Sequence, residues 1–289
     1  KNPSDFFHQT NQFIRSLFTL DVRLYKFIPF FQYHTSNYQV IFMPQWVEGK
    51  IAENIHWTDN LFTLKIDADI DKFAAGQFTS VALDIDGERI ARPYSFLNSP
   101  DQRPLEFFFY TAIEGKLSNA LVKLKVGDSV WIKKQANGFF VLNEIPPCKD
   151  IWMLGTGTGI APYLSILNTP AVWERFEKIV LIQAVRTRAD LRYQEVIANL
   201  ENQFEDQFFF QAFVSRENIE GTFHGRITAS LEDQSLEKHL GLDLNVENSH
   251  IMLCGNPEMV KDSVEILKRR GFSKHRRRKP GQITVENYW

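Results

Sequence analysis

The stretch that decides the fold is IWMLGTGTGIAPY, residues 151–163 of the 289-residue chain. It reads as a short buried strand, then a loop with alternating glycines, then a helix that starts at Tyr163. Glycines let a backbone approach a phosphate, and a helix N-terminus presents unpaired N–H groups to an anion. The match to the usual dinucleotide fingerprint is imperfect, because Ile160 stands at the third glycine position and no ribose-binding acid follows. Alone, the loop favours nucleotide contact over a merely tight turn.

Downstream of this loop, buried strands alternate with amphipathic helices. Apolar runs predict strands at 179–185, 208–214 and 250–254, and apolar residues at helical spacing predict helices around 193–200 and 260–267. Strands that alternate with helices in this way indicate a parallel sheet with crossover connections.

Upstream of the loop, from Trp46 to about Val141, short apolar runs are separated by turn dipeptides such as Asp86-Gly87 and Asn137-Gly138. Many short strands at this spacing predict an antiparallel barrel or sandwich. One helical interruption is expected, because apolar residues recur at i, i+3, i+4 and i+7 from Leu117 to Leu124.

The pattern changes near Pro146-Pro147, so we expect an all-β domain over residues 43–146 and an α/β domain over residues 147–289. Residues 1–42 fit neither pattern, since they mix eight Phe with polar residues in no clear period. Two interpretations stay open for them. They are an upstream extension before a natural start at Met43, or an N-terminal arm whose aromatic side chains pack on the domain surface.

Composition excludes several classes of function. The formal net charge of −2 gives no argument for nucleic-acid binding. Two cysteines, Cys148 and Cys254, are too few for a disulfide framework or a Cys-rich metal site, and no Cys-x-x-Cys or His-Glu-x-x-His spacing occurs. No run of about eighteen apolar residues and no secretion signal are present. We therefore predict a cytoplasmic protein with no metal site and no membrane or nucleic-acid partner.

Arginines stand where the later strands are expected to end. Arg186 follows one strand, Arg216 follows the next, and Arg226 comes soon after. Ligands of open α/β sheets bind beyond the carboxyl ends of the strands. Guanidinium groups there, with no acidic residue, suit a 2′-phosphate and hence NADP rather than NAD. The alternative for any single one is a solvated surface arginine.

The barrel region carries two further motifs. Arg92-Pro93-Tyr94-Ser95 lies on a strand-like stretch, where Arg can neutralise a pyrophosphate and Tyr can cover a flavin ring. Gly115-Lys116-Leu117-Ser118 opens the short helix and offers a helix N-terminus, a Lys and a hydroxyl to an anion. Alone, the first motif also fits a Pro-punctuated edge strand and the second a plain helix cap.

These elements, in this order, resemble the bacterial ferredoxin/flavodoxin–NADP reductase family, and the terminal Tyr-Trp is similar to its enterobacterial type. The resemblance runs from about Trp46 to Trp289, whereas residues 1–42 have no counterpart in it. It implies an antiparallel β-barrel that binds FAD, followed by a parallel α/β domain that binds NADP. The segments that carry it are Ala75-Gly76-Gln77-Phe78, Arg92-Pro93-Tyr94-Ser95, Gly115-Lys116-Leu117-Ser118, the glycine loop, Cys254-Gly255-Asn256-Pro257 and Tyr288-Trp289.

The resemblance also implies roles for individual residues in cofactor binding. Arg92 would hold the FAD pyrophosphate, Tyr94 would pack near the isoalloxazine, and Ser95 would face flavin N5. Tyr288 would cover the ring face that nicotinamide must enter, and Trp289 would lie against the adenine. The remaining residues expected to line FAD are Pro93, Phe108, Phe109, Tyr110, Thr111, Lys116, Leu117, Ser118 and Thr158.

For catalysis and NADPH binding the resemblance implies a second set of residues. Ser95, Cys254 and Tyr288 would surround the reacting atoms, although a small buried residue ending a strand explains Cys254 equally well. The adenosine 2′-phosphate end and the dinucleotide would be held by Gly157, Arg186, Ser215, Arg216 and Arg226, with Asp262 as a weaker candidate.

The implied reaction is hydride transfer from NADPH to flavin N5, followed by single-electron steps to flavodoxin or ferredoxin. Such carriers are typically acidic, and Lys274, Arg276, Arg277, Arg278 and Lys279 form a basic run that could dock them. A solvated basic loop is the alternative. Nothing in the sequence requires more than a monomer.

Three other functions remain open at this point. A reductase of the same architecture could use free flavin or a quinone as substrate, and would purify without colour. A regulator could bind NADPH without catalysis, but the FAD motifs would then have no purpose. A nucleic-acid binder would rest on the basic run alone.

Overall fold

A computed structural model describes residues 46–287 of the chain. The interpretations of residues 1–42, Met43, Tyr288 and Trp289 therefore lie outside the described residues. The first half of the described chain forms one antiparallel sheet. Its strands are β1 (Trp46–His56), β2 (Leu61–Asp67), β3 (Phe78–Ile85), β4 (Glu88–Ser95), β5 (Leu105–Tyr110) and β6 (Ser129–Lys133).

This sheet closes into a barrel, as the sequence predicts. The strand order is β4-β3-β6-β1-β2-β5, and an antiparallel bridge between Phe96 and Phe107 joins the two edge strands. Helix α1 (Lys116–Leu121) lies between β5 and β6 and buries Leu117 and Leu121 in the barrel core. Asp86-Gly87 makes the predicted β3–β4 turn.

The second half forms a parallel sheet with helices, which confirms the predicted α/β architecture. The strand order is β10-β9-β8-β7-β11-β12, and every neighbouring pair is parallel. The strands are β7 (Asp150–Thr156), β8 (Lys178–Val185), β9 (Phe208–Val214), β10 (Phe223–His224), β11 (Ser249–Gly255) and β12 (Ile283–Asn287). The helices are α2 (Ala161–Leu167), α3 (Pro170–Arg175), α4 (Gln194–Gln203), α5 (Ile227–Asp233), α6 (Ser235–Leu240) and α7 (Pro257–Arg269).

The strand order places the glycine loop at a special position. From β7 the chain adds strands outward on one side through β8, β9 and β10, and it then returns to the other side of β7 with β11. The carboxyl ends of β7 and β11 therefore flank the point where the strand order reverses, which is where open α/β sheets bind ligands. No helix between residues 46 and 287 combines the length and apolarity needed to span a bilayer.

The barrel and the parallel sheet share one apolar core. Leu61 and Phe108 of the barrel belong to the same buried cluster as Tyr163 and Ile166 of α2, and all seven residues of α2 are buried. Ser165 on this helix donates a hydrogen bond of 2.7 Å from Oγ to the Asn98 carbonyl of the barrel. The relative position of the two domains is thus set by packing as well as by the linker.

A second contact clamps the barrel onto the α/β domain. Tyr193, whose backbone is left-handed (φ 64°), places its hydroxyl 2.6 Å from Thr63 Oγ1 of β2. Trp57 Nε1 donates to the same Oγ1 at 2.9 Å, and the Arg192 guanidinium lies 5.4 Å from the Trp57 ring centroid. Burial raises the pKa of Tyr193, so its phenol stays neutral and keeps this contact uncharged.

His250 is buried in β11, where its Nε2 lies 2.8 Å from Thr284 Oγ1 of β12. Burial lowers the pKa of His250 to about 3, and the nearby His275 and Arg175 act in the same direction. Its imidazole therefore stays neutral in the folded protein as the pH falls from about 6.5 to about 3. An unfolded histidine takes up a proton over the same range.

We predict that His250 makes the fold sensitive to acid. Its stabilising effect is fully present above the unfolded pKa of 6.5 and is lost as the pH falls toward the folded value. One such group lowers the free energy of unfolding by about 1.4 kcal/mol per pH unit, or by about 2 kcal/mol between about pH 6.5 and about pH 5. Urea unfolding at about pH 7.5 and about pH 5 measures the loss.

His250→Gln should reduce that pH-dependent loss by about 2 kcal/mol, because glutamine does not titrate. His56→Gln, which changes an exposed imidazole on β1, is the matched control and should leave the loss unchanged. The same pH dependence in wild type and His250→Gln would contradict the prediction.

Candidate functional site

The glycine loop begins where β7 ends at Thr156. Residues 157–160 form a 3-10 turn in which Gly157 has φ +56°, and α2 then begins at Ala161. The helix thus starts two residues before the predicted Tyr163, because the 3-10 turn leads directly into it. Thr158 is buried within the turn, and Gly157 is partly exposed beside it.

The loop packs directly on the end of β11, and this contact requires glycine. A Cβ on Gly159 would lie 2.7 Å from the Cys254 carbonyl oxygen, and one on Gly255 would lie 2.2 Å from Thr156 Oγ1. Thr156 Oγ1 in turn accepts a hydrogen bond of 2.8 Å from the Asn256 N–H. The glycine loop and the predicted residue Cys254 therefore meet at one place, with Cys254 buried beneath it.

The barrel approaches the same loop through Tyr110 at the end of β5. A Cβ on Gly157 would lie 3.1 Å from Tyr110 Cε2. Burial raises the pKa of Tyr110, and the neighbouring Asp190 raises it further. The phenol is therefore a neutral hydrogen-bonding group between the two domains.

The Arg92-Pro93-Tyr94-Ser95 motif lies on β4 and places its Arg and Tyr in two different environments. Arg92 is exposed, and its Nη1 donates 2.7 Å to the Ala91 carbonyl. The Tyr94 ring packs edge-on against Phe107 and Phe109, with ring centroids 6.4 and 5.3 Å away. Burial raises the pKa of Tyr94 to about 12, so this ring is uncharged. Within residues 46–287 Arg92 forms no ion pair and remains available for an anion.

The first turn of α1 also remains available. Gly115 precedes it with no side-chain cap, and the turn has no acidic residue. Lys116 is exposed, whereas Ser118 is buried and its Oγ bonds the Ala112 N–H at 3.1 Å and the Gly115 carbonyl at 3.3 Å. Ser118 therefore shapes the loop before the helix.

Three residues that the family resemblance assigns to the FAD lining have buried side chains. Phe108 packs edge-on to Tyr193 in the shared core, while Phe109 and Leu117 belong to the barrel core. At these positions only the backbone can face a ligand. Thr111, by contrast, is partly exposed.

Sequence reasoning missed one residue, Glu286 of β12. Its neighbour across the parallel sheet is Cys254, and it faces Ser95 of the barrel. Burial raises the pKa of Glu286 to about 7, and the Ser95 hydroxyl opposes this only in part. Neither Ser95 Oγ nor Glu286 Oε2 has a hydrogen bond of good geometry among the described residues. Its only signal in the sequence is an acid that follows Val285 in the short strand ITVEN.

The predicted phosphate-binding arginines meet at the carboxyl edge of β8 and β9. The Arg216 N–H donates 2.9 Å to the Arg186 carbonyl, and the Ser215 N–H donates 3.1 Å to the Val185 carbonyl. Arg226 directly precedes α5, and the adjacent Gly225 N–H bonds the Val214 carbonyl at the end of β9. All three arginines are exposed, and none pairs with a carboxylate in the part of the chain that the structure describes.

The weaker candidate, Asp262, has a different setting. It lies on the exposed face of α7, in a groove shared with Thr228 and Glu232 of α5. Glu265 is a third acid in the groove, against one arginine, Arg269, so the local charge does not favour a phosphate. The assignment of Asp262 to the NADP site stays a prediction.

The donor set in the barrel fits FAD. Arg92 and the uncapped first turn of α1 supply positive charge and free N–H groups for a pyrophosphate. Tyr94 offers a neutral aromatic ring, and the buried Ser95 hydroxyl can donate a hydrogen bond to a ligand. A buried polar atom without a partner costs about 1–3 kcal/mol, which a bound polar ring atom would offset.

Comparison with known proteins matches both halves of the chain. Residues 50–139 match the oxidoreductase FAD-binding domain, and residues 153–265 match the oxidoreductase NAD-binding domain. The flavodoxin/ferredoxin–NADP reductase of Escherichia coli (strain K12) is 49% identical over 248 residues, which are 86% of this chain and 100% of that protein. The ferredoxin–NADP reductase of Azotobacter vinelandii is 34% identical over 80% of this chain and 93% of its own length.

A solved structure shows the same architecture. The crystal structure of a ferredoxin NADP⁺ reductase from Neisseria gonorrhoeae with bound FAD and NADP superposes with a TM-score of 0.81. The two chains are 35% identical, and the match covers 85% of this chain and 99% of that one. The barrel, the parallel sheet and their order along the chain are thus those of a known two-domain fold.

Proposed function

Because the chain belongs to the flavodoxin/ferredoxin–NADP reductase family, we propose that it transfers electrons between NADPH and flavodoxin or ferredoxin with FAD as its bound cofactor. One observation carries the proposal. The barrel residue Ser95, at a site suited to FAD, meets Glu286 of the parallel sheet, and the same sheet exposes arginines without carboxylate partners.

FAD, when bound, supplies the conversion between a two-electron hydride and single electrons. The residues of the barrel hold and orient it. Arg92 and the first turn of α1 neutralise the pyrophosphate, Tyr94 covers the ring system, and Ser95 offers its hydroxyl to a ring nitrogen. The buried neighbours Phe107 and Phe109 keep Tyr94 in place and exclude water from its inner side.

Glu286 has the protonation behaviour of a group that exchanges protons near neutral pH. With a pKa of about 7, its carboxyl carries a proton in about half of the molecules at neutral pH. Ser95 faces this carboxyl, so its hydroxyl would accept the proton that a bound flavin releases on oxidation and pass its own proton to Glu286. The pair would thus carry a proton away from the ring without exposing the ring to solvent.

NADPH binds on the α/β domain in this proposal. Arg186, Ser215, Arg216 and Arg226 hold the 2′-phosphate, because guanidinium groups form paired hydrogen bonds with phosphate oxygens. Gly157 and Thr158 of the glycine loop receive the rest of the dinucleotide. Cys254 is the small residue beneath the loop that leaves room for the nicotinamide.

The remaining features are proposals of the same kind. We assign FAD binding to residues 43–146, NADP binding to residues 147–289 and an extension outside the core fold to residues 1–42. Tyr288 and Trp289 would cover the flavin ring and adenine. A monomeric, cytoplasmic enzyme agrees with a chain that has two cysteines, Cys148 and Cys254. The basic run from Lys274 to Lys279 favours an acidic carrier.

Stopped-flow absorbance tests the function directly. The purified protein should be yellow, NADPH should bleach it, and added flavodoxin or ferredoxin should then be reduced. NADH should bleach it far more slowly at equal concentration, because it lacks the 2′-phosphate. A colourless protein would favour a reductase of free flavin, and bleaching without carrier reduction would contradict the electron-transfer proposal.

We predict that Arg216→Ala raises the KM for NADPH about 10- to 100-fold, because it removes charge-assisted hydrogen bonds to a phosphate worth about 1.5–3 kcal/mol. The KM for NADH should stay within about twofold. Steady-state reduction of a small dye measures both. Arg269→Ala is the matched control, since Arg269 already pairs with Glu232, and it should change neither value. An equal rise for both nucleotides in Arg216→Ala would argue against a 2′-phosphate site.

We predict that Glu286→Gln slows the oxidation of the reduced flavin by flavodoxin or ferredoxin about 100-fold, because this oxidation releases a proton from the ring and general bases typically contribute about 10²- to 10⁴-fold. In the wild type the rate should rise as the pH rises through about 7, where the carboxyl loses its proton and can accept one. This inflection should be absent in Glu286→Gln, and Ser95→Ala should show a comparable loss of rate. Stopped-flow traces between about pH 5.5 and about pH 8.5 measure these effects.

Glu106→Gln is the control for Glu286→Gln. Burial also raises the pKa of Glu106, but this carboxyl lies in the barrel and pairs with Lys65. It should therefore keep both the rate and the inflection. A Glu286→Gln variant with the wild-type pH profile would show that the inflection belongs to another group.

A further inference from the structure

Phe139 is a large aromatic side chain on the protein surface. Its exposed fraction is 62%, although it lies between the buried Phe140 and the Asn137-Gly138 turn. The guanidinium carbon of Arg277 lies 4.0 Å from the centre of its ring. The ring is therefore held in place on one face while its other face is open.

The arginine that holds the ring is itself fixed. Arg277 forms a two-point ion pair with Glu144, with Nη2–Oε1 at 2.6 Å and Nε–Oε2 at 3.0 Å. It lies in a tight turn closed by hydrogen bonds between the main chains of Arg276 and Lys279, at 3.0 and 2.8 Å. The Arg277–Glu144 ion pair and the turn from Arg276 to Lys279 thus fix the position of the Phe139 ring.

The segment that carries Arg277 also carries four cationic side chains without carboxylate partners among the described residues. Lys274, Arg276, Arg278 and Lys279 form no ion pair within residues 46–287, whereas Arg277 is paired with Glu144. We call Phe139, Arg277 and these four residues the Phe139 surface. It combines an exposed aromatic ring with a surrounding excess of cations.

The Phe139 surface adjoins the site of the proposed reaction. Gly138, the residue before Phe139, has φ +111°, and a Cβ there would lie 3.1 Å from Phe78 Cδ1 and 3.6 Å from Glu286 Oε1. Glu286 is the carboxyl that faces Ser95. A molecule bound to Phe139 therefore lies beside Gly138, the residue that is close to the buried pair Ser95 and Glu286.

We propose that Phe139, clamped by Arg277 and Glu144, is the apolar centre of the surface that docks an acidic redox carrier. The proposal rests on the proposed function and specifies its docking site. Aromatic and arginine side chains provide most of the energy at protein interfaces, especially when a rim of weaker contacts excludes water around them. The four unpaired cations steer an acidic partner and form that rim.

Fixing the ring in advance also lowers the cost of binding. A side chain that is already ordered loses little conformational freedom when a partner covers it. The attraction between Arg277 and the ring grows when the partner removes water from both. Glu144 therefore aids docking even though its own charge is the wrong sign for an acidic partner.

The first test compares a large and a small electron acceptor. Phe139→Ala should raise the KM for flavodoxin or ferredoxin about tenfold, since interface aromatics commonly act as hot spots. The rate with ferricyanide, which is too small to use the docking surface, should stay unchanged. Val126→Ala, which truncates another exposed apolar side chain on the barrel (72% exposed), is the matched control and should alter neither.

The second test separates the clamp from simple charge. Glu144→Gln makes the Phe139 surface more positive, so charge attraction alone predicts a lower KM for an acidic carrier. The clamp predicts a higher KM, because Arg277 loses its anchor and the ring loses its fixed position. A higher KM supports the proposal, and a lower one overturns the role of Glu144.

Two results would overturn the docking role of Phe139. One is an unchanged carrier KM in Phe139→Ala, and the other is a loss of FAD absorbance from that variant, which would assign the ring to the cofactor site. Carrier reduction by the wild type separates a failure of the docking site from a failure of the proposed function. If the wild type reduces no carrier, the proposed function is wrong. If the wild type and Phe139→Ala reduce the carrier equally well, only the docking site is wrong.

Discussion

Seven consecutive buried residues of α2 lie where the barrel meets the parallel sheet, and the site depends on this contact. The helix contributes Tyr163 and Ile166 to an apolar cluster that also contains Leu61 and Phe108 of the barrel. Burial of such side chains stabilises by about 1.5–3 kcal/mol each, so the two domains do not slide freely on one another. A hinge here would separate the residues that the reaction needs.

The meeting of Ser95 and Glu286 is the chemical consequence of that packing. One residue comes from β4 of the barrel and the other from β12 of the sheet. An exposed carboxyl has a pKa near 4.5, whereas burial raises the pKa of Glu286 to about 7. This carboxyl can therefore exchange a proton at neutral pH.

Arginines serve two opposite purposes in this molecule. Arg175 donates to the carbonyls of Leu142 and Ile145 in the linker, and Arg277 is held by Glu144, so both are structural. Arg186 and Arg216 lie side by side at a strand edge with no carboxylate partner among the described residues. The difference between the two groups is thus their partners and not their residue type.

The sequence by itself determined the architecture, because hydrophobic periodicity and turn chemistry are local properties. Short strands separated by turns predicted an antiparallel barrel or sandwich, strands alternating with helices predicted the parallel sheet, and the glycines at 155–159 marked the loop where β7 meets a helix. The arginines that follow β8 and β9 were also recognisable, since the ends of parallel strands lie at one edge of a sheet. Motif resemblance then identified the family.

Only the tertiary structure decided which side chains face the site. Phe108, Phe109 and Leu117 stand within recognisable motifs, yet their side chains fill the cores, so they can offer a ligand only backbone groups. Glu286 gave almost no signal, because its raised pKa comes from burial in the folded protein, where it faces Ser95 nearly two hundred positions earlier in the chain. Local sequence records propensity and pattern, whereas burial, pairing and charge environment arise from contacts between distant segments.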